Sequence, residues 1–326
     1  MYSIGIESTA HTFGVGIVDE KCTVLANEKA SYTHPDAGIH PKIAAEHHIE
    51  KGSSVLHAAL STSGLKLSDI DVFSFAQGPG LGPCLRVGAI TARYLASRYQ
   101  KPLLGVNHCV AHIEIGKIKT GARDPVIVYT SGANTQIIAF ENKKYRVLGE
   151  TLDMGVGNAL DQFGRKMGFG FPGGPIIDAK YFEGKKYIPL PYSVKGMDLV
   201  FAGLLTEACK KIGKENENDL CYSFMHTAMA MVCEVTERAL AHTEKEQVLV
   251  TGGVAASKAL KKMLHELCDA RGAALFIVPT PYAMDNGAMI AWQGMLEYQH
   301  GRKQLLSETR VNQRYRTDQV DVFWDA

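Results

Sequence analysis

Two histidines stand four residues apart in the segment NHCVAHIEIG, at His108 and His112. If this segment is helical, residues separated by four positions lie on the same face, so both imidazoles can bind one metal ion. The same spacing also occurs on half-buried polar faces and on surfaces, where it has no chemical role. A metal site therefore needs further ligands, and these depend on the elements that surround the pair.

The composition indicates a folded protein of about two domains. The chain has 326 residues, of which 46% are hydrophobic and 21% charged, and its net charge is +1. This charge gives no global attraction to nucleic acid. No apolar run reaches the roughly 20 residues that cross a bilayer, and Glu7 interrupts the stretch where a signal peptide would be apolar. We therefore expect a cytoplasmic protein without a membrane segment. The seven cysteines contain no CxxC pair.

The predicted secondary-structure elements follow the same order twice. Residues 2–27 and 126–150 each predict three strands. The segments DVFSFAQGPGLGPCLRVGAITARYLASRY and QVLVTGGVAASKALKKMLHEL each predict a strand, a glycine-rich loop and a helix. A further strand and helix follow each of them, and these helices begin at His108 and near Asp285. A duplicated βββαβαβα pattern predicts an α/β fold similar to actin, sugar kinases and the Hsp70 ATPase (ASKHA), with two lobes and a nucleotide in the interlobe cleft.

The repeat also predicts the domain boundaries. We expect residues 1–121 and 300–326 to form the first lobe and residues 122–299 the second, with an inserted segment at about 150–225. Equivalent helices in such a fold meet across a pseudo-two-fold axis. The histidine pair of the first half and Asp285 of the second could then hold one ion.

Nine segments carry a resemblance to a known family. In chain order they are GIESTAHTFGVGIVD, THPDAGIHPKIAAEHH, QGPGLGPCLRVG, NHCVAHIEIG, YTSGANTQI, GNALDQFGRKMG, FPGGP, TGGVAASKAL and MDNGAMIAWQG. They resemble the TsaD family, in the archaeal and eukaryotic branch found in the KEOPS (EKC) complex and formerly named O-sialoglycoprotein endopeptidase. The resemblance implies transfer of a threonylcarbamoyl group from threonylcarbamoyl-adenylate to the exocyclic amine of the adenosine beside the anticodon, in tRNAs that read ANN codons.

The resemblance also implies a metal centre. Its catalytic residues and ligands would be His108, His112 and Asp285, with Tyr129 as a further ligand. Two imidazoles, a carboxylate and a phenolate suit iron or zinc, and the hard oxygen ligands favour iron. Such an ion would act as a Lewis acid that binds the threonyl part of the donor and polarises its carbamoyl carbonyl.

A site for an adenine nucleotide, which would be threonylcarbamoyl-adenylate, AMP or ATP, is implied as well. The residues that match the family's nucleotide-binding positions are Thr130, Ser131, Gly132 and Ala133 for the phosphate, Asp161 and Asp178 for the ribose hydroxyls or nearby groups, Gly174 for close packing of the nucleotide, and Gly252, Gly253 and Ser257 for the adenine. The family usually has asparagine at position 257, so the serine shortens the expected contact to adenine. Without the resemblance, a lone aspartate would more often cap a helix.

A second metal site among His34, His40, His47 and His48 is not predicted, because His47 and His48 are adjacent and point apart on a helix. Glu7 and His11 belong to the first strand and its turn. We expect these two residues to face the reacting groups.

Other functions remain open at this point. A metallopeptidase is disfavoured because HCVAH lacks the glutamate of HExxH. An ATP-dependent switch or kinase of the same fold would not need the histidines, and a scaffold could use the small-residue face of GAITARYLASRYQ. The resemblance implies tRNA as substrate and the KEOPS subunits as partners, namely the small dimerising subunit, the atypical kinase subunit and the tRNA-binding accessory subunit.

Overall fold

The structure is a computed structural model that describes residues 1–33 and 39–324. It divides into two compact units. The first contains Met1–Lys119, Asn142–Tyr145 and Met284–Ala326 and the second contains Thr120–Glu141 and Arg146–Ala283, as far as these ranges are described. His34 and the last two residues of the predicted first lobe lie outside the described residues. Within the described part, no helix is both long enough and apolar enough to span a bilayer.

A five-stranded sheet with the order β3-β2-β1-β4-β5 forms the centre of the first unit. Its strands are β1 (Tyr2–Glu7), β2 (Thr12–Asp19), β3 (Val24–Ser31), β4 (Val72–Gly78) and β5 (Leu103–Asn107). The helices are α1 (Pro41–Ser63), α2 (Gly82–Tyr99) and α3 (His108–Thr120). Strands β1, β4 and β5 run parallel, whereas β2 is antiparallel to both β1 and β3. The carboxyl ends of β1, β4 and β5 therefore meet at one edge of the sheet.

The second unit repeats this topology. Its sheet has the order β12-β11-β6-β7-β8. In this order β6, β7 and β8 take the places of β1, β2 and β3 in the first sheet, and β11 and β12 take the places of β4 and β5. The strands are β6 (Val126–Thr130), β7 (Thr135–Glu141), β8 (Lys144–Glu150), β11 (Gln247–Thr251) and β12 (Ala274–Ile277), and a small hairpin contains β9 (Val194–Lys195) and β10 (Asp198–Leu199). The helices are α4 (Val156–Lys166), α5 (Gly174–Tyr181), α6 (Ala202–Lys211), α7 (Glu217–Thr243), α8 (Lys258–Arg271) and α9 (Thr280–Ala283). The predicted duplicated α/β organisation is confirmed.

The last long helix, α10 (Gly287–Gln299), packs on the first sheet. A Cβ atom on Gly5 would lie 2.1 Å from the backbone nitrogen of Ala291, and one on Gly16 would lie 2.1 Å from that of Ala288. Only glycine permits such close approach of helix backbone to strand backbone.

This packing corrects the predicted boundary at residue 299. Met284 and the residues that follow it belong to the first unit, which also contains His108 and His112. Asp285 therefore does not come from the other lobe, as the repeat suggested. The repeat predicts the element order, but the small residues on β1 and β2 decide which sheet the helix covers.

Candidate metal centre

The helix of the histidine pair begins directly at the end of β5. Asn107 closes this strand, and its side-chain oxygen accepts a hydrogen bond from the backbone nitrogen of Val110 at 3.1 Å, which satisfies one of the donors of the first turn. His108 and His112 then lie on one face of α3, with ring centroids 4.7 Å apart and nearly perpendicular planes. Both side chains are buried. The helical interpretation of the spacing is confirmed.

Asp285 completes a cluster with the two histidines. Its Oδ1 lies 3.3 Å from Nε2 of His112 and 3.5 Å from Nε2 of His108. One donor atom from each of the three residues lies within 4.8 Å of the other two. Two imidazole nitrogens and one carboxylate oxygen are common ligands of zinc and of non-haem iron. The residues therefore fit a metal ion of this class.

Glu7 supports the cluster from behind. It is fully buried at the end of β1, and its Oε2 lies 2.9 Å from Nδ1 of His108. Its other oxygen accepts hydrogen bonds from the backbone nitrogen of Thr9 at 2.7 Å and from the Thr9 hydroxyl at 2.5 Å. Because an ionised carboxylate can only accept, Nδ1 of His108 carries the proton and Nε2 is directed to Asp285.

The expected role of Glu7 was different, since we expected it to face the reacting groups. The structure places this carboxylate against the imidazole of His108. The signal that could have revealed this is topological. Glu7 ends β1 and His108 follows β5, and parallel strands bring their carboxyl ends to one edge of a sheet.

The electrostatics of the cluster favour a positive charge at its centre. Burial by itself would lower the pKa of His108, but the carboxylates of Glu7 and Asp285 outweigh it and raise this pKa to about 9. Burial lowers the pKa of His112, although Asp285 opposes the shift. Burial would raise the pKa of Asp285, yet the two imidazoles hold it well below its ordinary value. A bound cation would replace the proton on Nε2 of His108, which faces Asp285, while Nδ1 would keep its proton toward Glu7.

In the second unit, two of the predicted nucleotide-binding loops meet at one sheet edge. Tyr129 pairs with Thr251 across β6 and β11, and the hydroxyl of Thr130 donates to the carbonyl of Thr251 at 3.3 Å. Gly252 has a φ of 92°, and a Cβ there would lie 2.2 Å from the carbonyl oxygen of Thr130. Position 252 therefore requires glycine.

The loop after β6 packs against the start of α4. The carbonyls of Ser131 and Gly132 accept hydrogen bonds from the backbone nitrogens of Gly157 at 3.3 Å and Asn158 at 3.1 Å. Gly132 and Ala133 are exposed, and a Cβ on Gly132 would have no atom within 4 Å. No neighbouring atom of the described residues would clash with a side chain at position 132. Close approach of a ligand to the backbone therefore remains the predicted reason for a glycine there.

The two predicted ribose-binding carboxylates bind helix N-termini. Oδ1 of Asp161 accepts from the backbone nitrogens of Gly173 at 2.9 Å and Gly174 at 3.3 Å, where α5 begins. Asp178 accepts from the backbone nitrogens at the start of α8, with 3.0 Å to that of Ala259, and from the Ser257 hydroxyl at 2.6 Å. These contacts are the helix-capping alternative that the sequence left open.

Ser257 is the N-cap of α8. Its hydroxyl oxygen accepts from the backbone nitrogen of Leu260 at 3.2 Å while it donates to Asp178. Gly253 begins a 3-10 turn that ends at Ala256, and a Cβ at Gly253 would have no atom within 4 Å.

Comparison with known sequences identifies the family. A sequence profile described as "TsaD: tRNA N6-adenosine threonylcarbamoyltransferase" matches residues 23–292. The chain belongs to the TsaD family. A tRNA N6-adenosine threonylcarbamoyltransferase from Thermococcus kodakarensis is 53% identical over 327 residues, which cover 100% of both chains. A probable bifunctional tRNA threonylcarbamoyladenosine biosynthesis protein from Methanothermobacter thermautotrophicus is 51% identical, and the match covers 99% of this chain and 61% of that relative.

Solved structures of other families share the fold of this TsaD protein. Component A of (R)-2-hydroxyglutaryl-CoA dehydratase from Acidaminococcus fermentans has a TM-score of 0.59 at 11% identity and covers 92% of this chain and 98% of its own. A ROK family glucokinase from Streptomyces griseus has a TM-score of 0.52 at 13% identity, and the match covers 92% of this chain and 100% of the glucokinase. At such low identity the likeness concerns the fold alone, and it confirms the predicted ASKHA class.

Tyr129, the further metal ligand implied for this branch of TsaD, belongs to the second unit. It is the penultimate residue of β6 and is buried. Its role as a ligand stays a prediction. The same holds for the nucleotide contacts of Ser131, Asp161 and Gly252.

Proposed function

We propose that this TsaD protein transfers the threonylcarbamoyl group of threonylcarbamoyl-adenylate to the exocyclic amine of the adenosine beside the anticodon, in tRNAs that read ANN codons. Membership of the family supports the reaction class. The observation that carries the proposal at the level of residues is the buried cluster of His108, His112 and Asp285, whose donor atoms lie within 4.8 Å of one another.

The cluster would hold one metal ion, with Tyr129 as a further ligand. We favour iron over zinc because a carboxylate and a phenolate supply hard oxygen atoms. When bound, such an ion supplies a Lewis acid that polarises a carbonyl group. Glu7 retains the proton on Nδ1 of His108 and so directs Nε2 to the ligand position.

The chemistry places few demands on acid or base catalysis. The tRNA amine forms a bond to the carbamoyl carbon, the bond from this carbon to the phosphate oxygen of AMP breaks, and the amine loses a proton to water. AMP is a weakly basic leaving group. Orientation of the two substrates could therefore supply most of the acceleration.

For the adenylate we propose a site in which the backbone makes the closest contacts. The exposed loop at Gly132 and Ala133 can approach a phosphate, and Gly252 and Gly253 leave room for the adenine. Asp161 and Asp178 would contact the ribose hydroxyls or nearby groups, and Gly174 would let the nucleotide pack closely, as the resemblance implies. In addition, the carboxylate of Asp178 orders the turn at Ser257 through its hydrogen bonds to the start of α8.

We also propose that tRNA binding depends on partners. The net charge of the chain is only +1, which gives little long-range attraction to a polyanion. The KEOPS subunits named above, which include the tRNA-binding accessory subunit, would supply this attraction. We place the reaction in the cytoplasm.

The decisive experiment measures transfer of labelled threonylcarbamoyl from preformed adenylate to tRNA. Wild type is compared with His108→Ala/His112→Ala, each with and without the partner subunits. A matched control is His265→Ala/His300→Ala, which removes two exposed histidines outside the cluster. We expect label on tRNA with wild type and the control, and none with the folded, metal-depleted variant.

Two outcomes would contradict the proposal. If the cluster variant transferred label as well as wild type, the metal centre would have no role in the reaction. If wild type moved no label even with partners but hydrolysed ATP, the ATP-dependent switch or kinase would replace the transferase.

A further inference from the structure

The carboxy-terminal segment Tyr315–Trp324, which we call the strap, is attached to the first turn of α3. The side-chain nitrogen of Asn107 donates to the carbonyl oxygens of Tyr315 at 2.9 Å and Arg316 at 3.3 Å. The oxygen of the same amide accepts from the backbone nitrogen of Val110 at 3.1 Å. The residue that caps α3 is therefore itself held by the strap.

A second attachment lies two residues beyond His112. Glu114 is buried, and its Oε1 accepts hydrogen bonds from the indole nitrogen of Trp324 at 2.9 Å and from the hydroxyl of Tyr145 at 2.5 Å. Its Oε2 lies 3.9 Å from the ammonium group of Lys117. Trp324 and Tyr145 are buried as well, so water cannot readily replace either donor.

The strap is also fastened to the turn before β8. The backbone nitrogen of Val322 donates to the carbonyl of Lys143 at 2.9 Å, and the ammonium group of Lys144 lies 3.1 Å from Oδ1 of Asp321. Val320 and Val322 are buried. Apolar burial and hydrogen bonds together distinguish the strap from a loose tail.

We propose that the strap positions α3 for metal binding, and that Glu114 and Trp324 are positioning residues of the metal centre. This inference rests on the proposed function, because it assumes that His108 and His112 bind an ion. Helix α3 carries two of the three clustered ligands, and metal ligands must be held within roughly 0.5 Å and 10–20° of their productive geometry. A helix anchored at Asn107 and at Glu114 has little freedom to rotate about its axis or to shift along it.

The test is a titration of the metal-free 326-residue chain with Co²⁺, whose visible absorption reports the number and geometry of its ligands. Trp324→Phe removes the indole donor and Tyr145→Phe removes the hydroxyl donor, and both retain an aromatic ring. We expect each variant to bind Co²⁺ about 10-fold more weakly and with an altered absorption spectrum. Having two variants keeps the test valid if one of them fails to fold.

Two controls separate positioning from general destabilisation. Phe323→Leu changes the neighbouring aromatic residue of the strap, whose ring contacts Trp324 and is partly exposed. Glu20→Gln changes an exposed carboxylate outside the strap, and both control variants should preserve Co²⁺ affinity within about twofold. The melting temperature of each metal-free variant is measured in parallel.

The outcomes distinguish this inference from the proposed function. If wild type failed to bind Co²⁺, the metal centre itself would be refuted, and the inference with it. If wild type bound Co²⁺ and the folded variants Trp324→Phe and Tyr145→Phe bound it with the same affinity and spectrum, only the role of the strap would be refuted. Weaker binding in these variants, with retained binding in Phe323→Leu and Glu20→Gln, would support it.

Discussion

In the first unit, the three clustered residues direct their donor atoms at one another, whereas in the second unit the two predicted ribose-binding carboxylates accept hydrogen bonds from helix N-termini. His112 and Asp285 approach to 3.3 Å in the first case. In the second, Asp178 accepts from the backbone at the start of α8 at 3.0 Å. In the first region, the proposed chemistry depends directly on the side chains. In the second region, the side chains hold backbone loops in place.

The largest expected effect is on the first region. Asp285→Asn removes the carboxylate that we propose as the anionic ligand, so we expect metal affinity and threonylcarbamoyl transfer to fall by more than about 100-fold. Thermal stability should change much less than these two quantities. Metal titration and the transfer assay measure the effect, and Asp269→Asn, at an exposed aspartate on α8, is the control. Equal metal affinity in Asp285→Asn and Asp269→Asn would remove the contrast between the two regions.

The corresponding change in the second region should act on stability. Asp178→Ala removes the acceptor of the hydrogen bonds at the start of α8, and we expect it to lower the free energy of unfolding by about 2 kcal/mol. Urea denaturation measures this. Asp178→Asn retains one oxygen and should lose less. A fully stable Asp178→Ala variant that had lost nucleotide affinity would instead assign this carboxylate mainly to the ligand.

A smaller effect in the first region is expected for Glu7. In the carboxylate of Glu7, one oxygen accepts from Thr9 and the other from His108. Glu7→Gln retains the shape of the side chain but replaces one of these two acceptor oxygens with an NH₂ donor. We expect metal affinity to fall about 10-fold, as for other residues that orient a ligating histidine. A metal titration of this variant is compared with one of Glu20→Gln, a change at the surface. Unchanged affinity would mean that the backbone alone orients His108.

The stability of the first unit, which contains the first region, should also depend on pH. His48 on α1 donates from Nε2 to the carbonyl of Ala10 at 3.1 Å, and burial together with His47 lowers its pKa from 6.5 to about 4. The unfolded chain therefore binds more protons than the folded chain between these values, so stability falls as the pH falls from about 6.5 toward 4. We expect His48→Gln to reduce this loss by about 2 kcal/mol at pH 5, as measured by urea denaturation at pH 7 and pH 5. The same pH dependence in both proteins would contradict the assignment.

The smallest effect is expected at position 257, where the resemblance to the family predicts asparagine in place of serine. Ser257→Asn introduces another good N-cap residue, so stability should change by less than about 0.5 kcal/mol, while Ser257→Ala should cost about 1 kcal/mol. Binding of AMP, measured by calorimetry, shows whether asparagine restores a contact to adenine. Tighter binding by Ser257→Asn would show that side chains contribute in the second region as well.

Much of the fold follows from local patterns. The repeated order of strands and helices, the helix of His108 and His112, and the family are all visible in the sequence, because strand alternation, helical spacing and motif order involve neighbouring residues. Such motifs also predict the residues of both sites. The two carboxylates that cap helices, those of Asp161 and Asp178, show the limit of this approach, because the same aspartate can bind a ligand or cap a helix.

Contacts between distant positions were decided by the tertiary structure alone. His112 meets Asp285 across 173 positions, and Glu114 meets Trp324 across 210. The sequence by itself determined which donors are present and which face of α3 carries them. The parallel strands and the glycines under α10 decided that Glu7 lies behind His108 and that Asp285 belongs to the same unit. The physical reason is that periodicity reports the environment of each element, while the pairing of elements depends on how closely their backbones can pack.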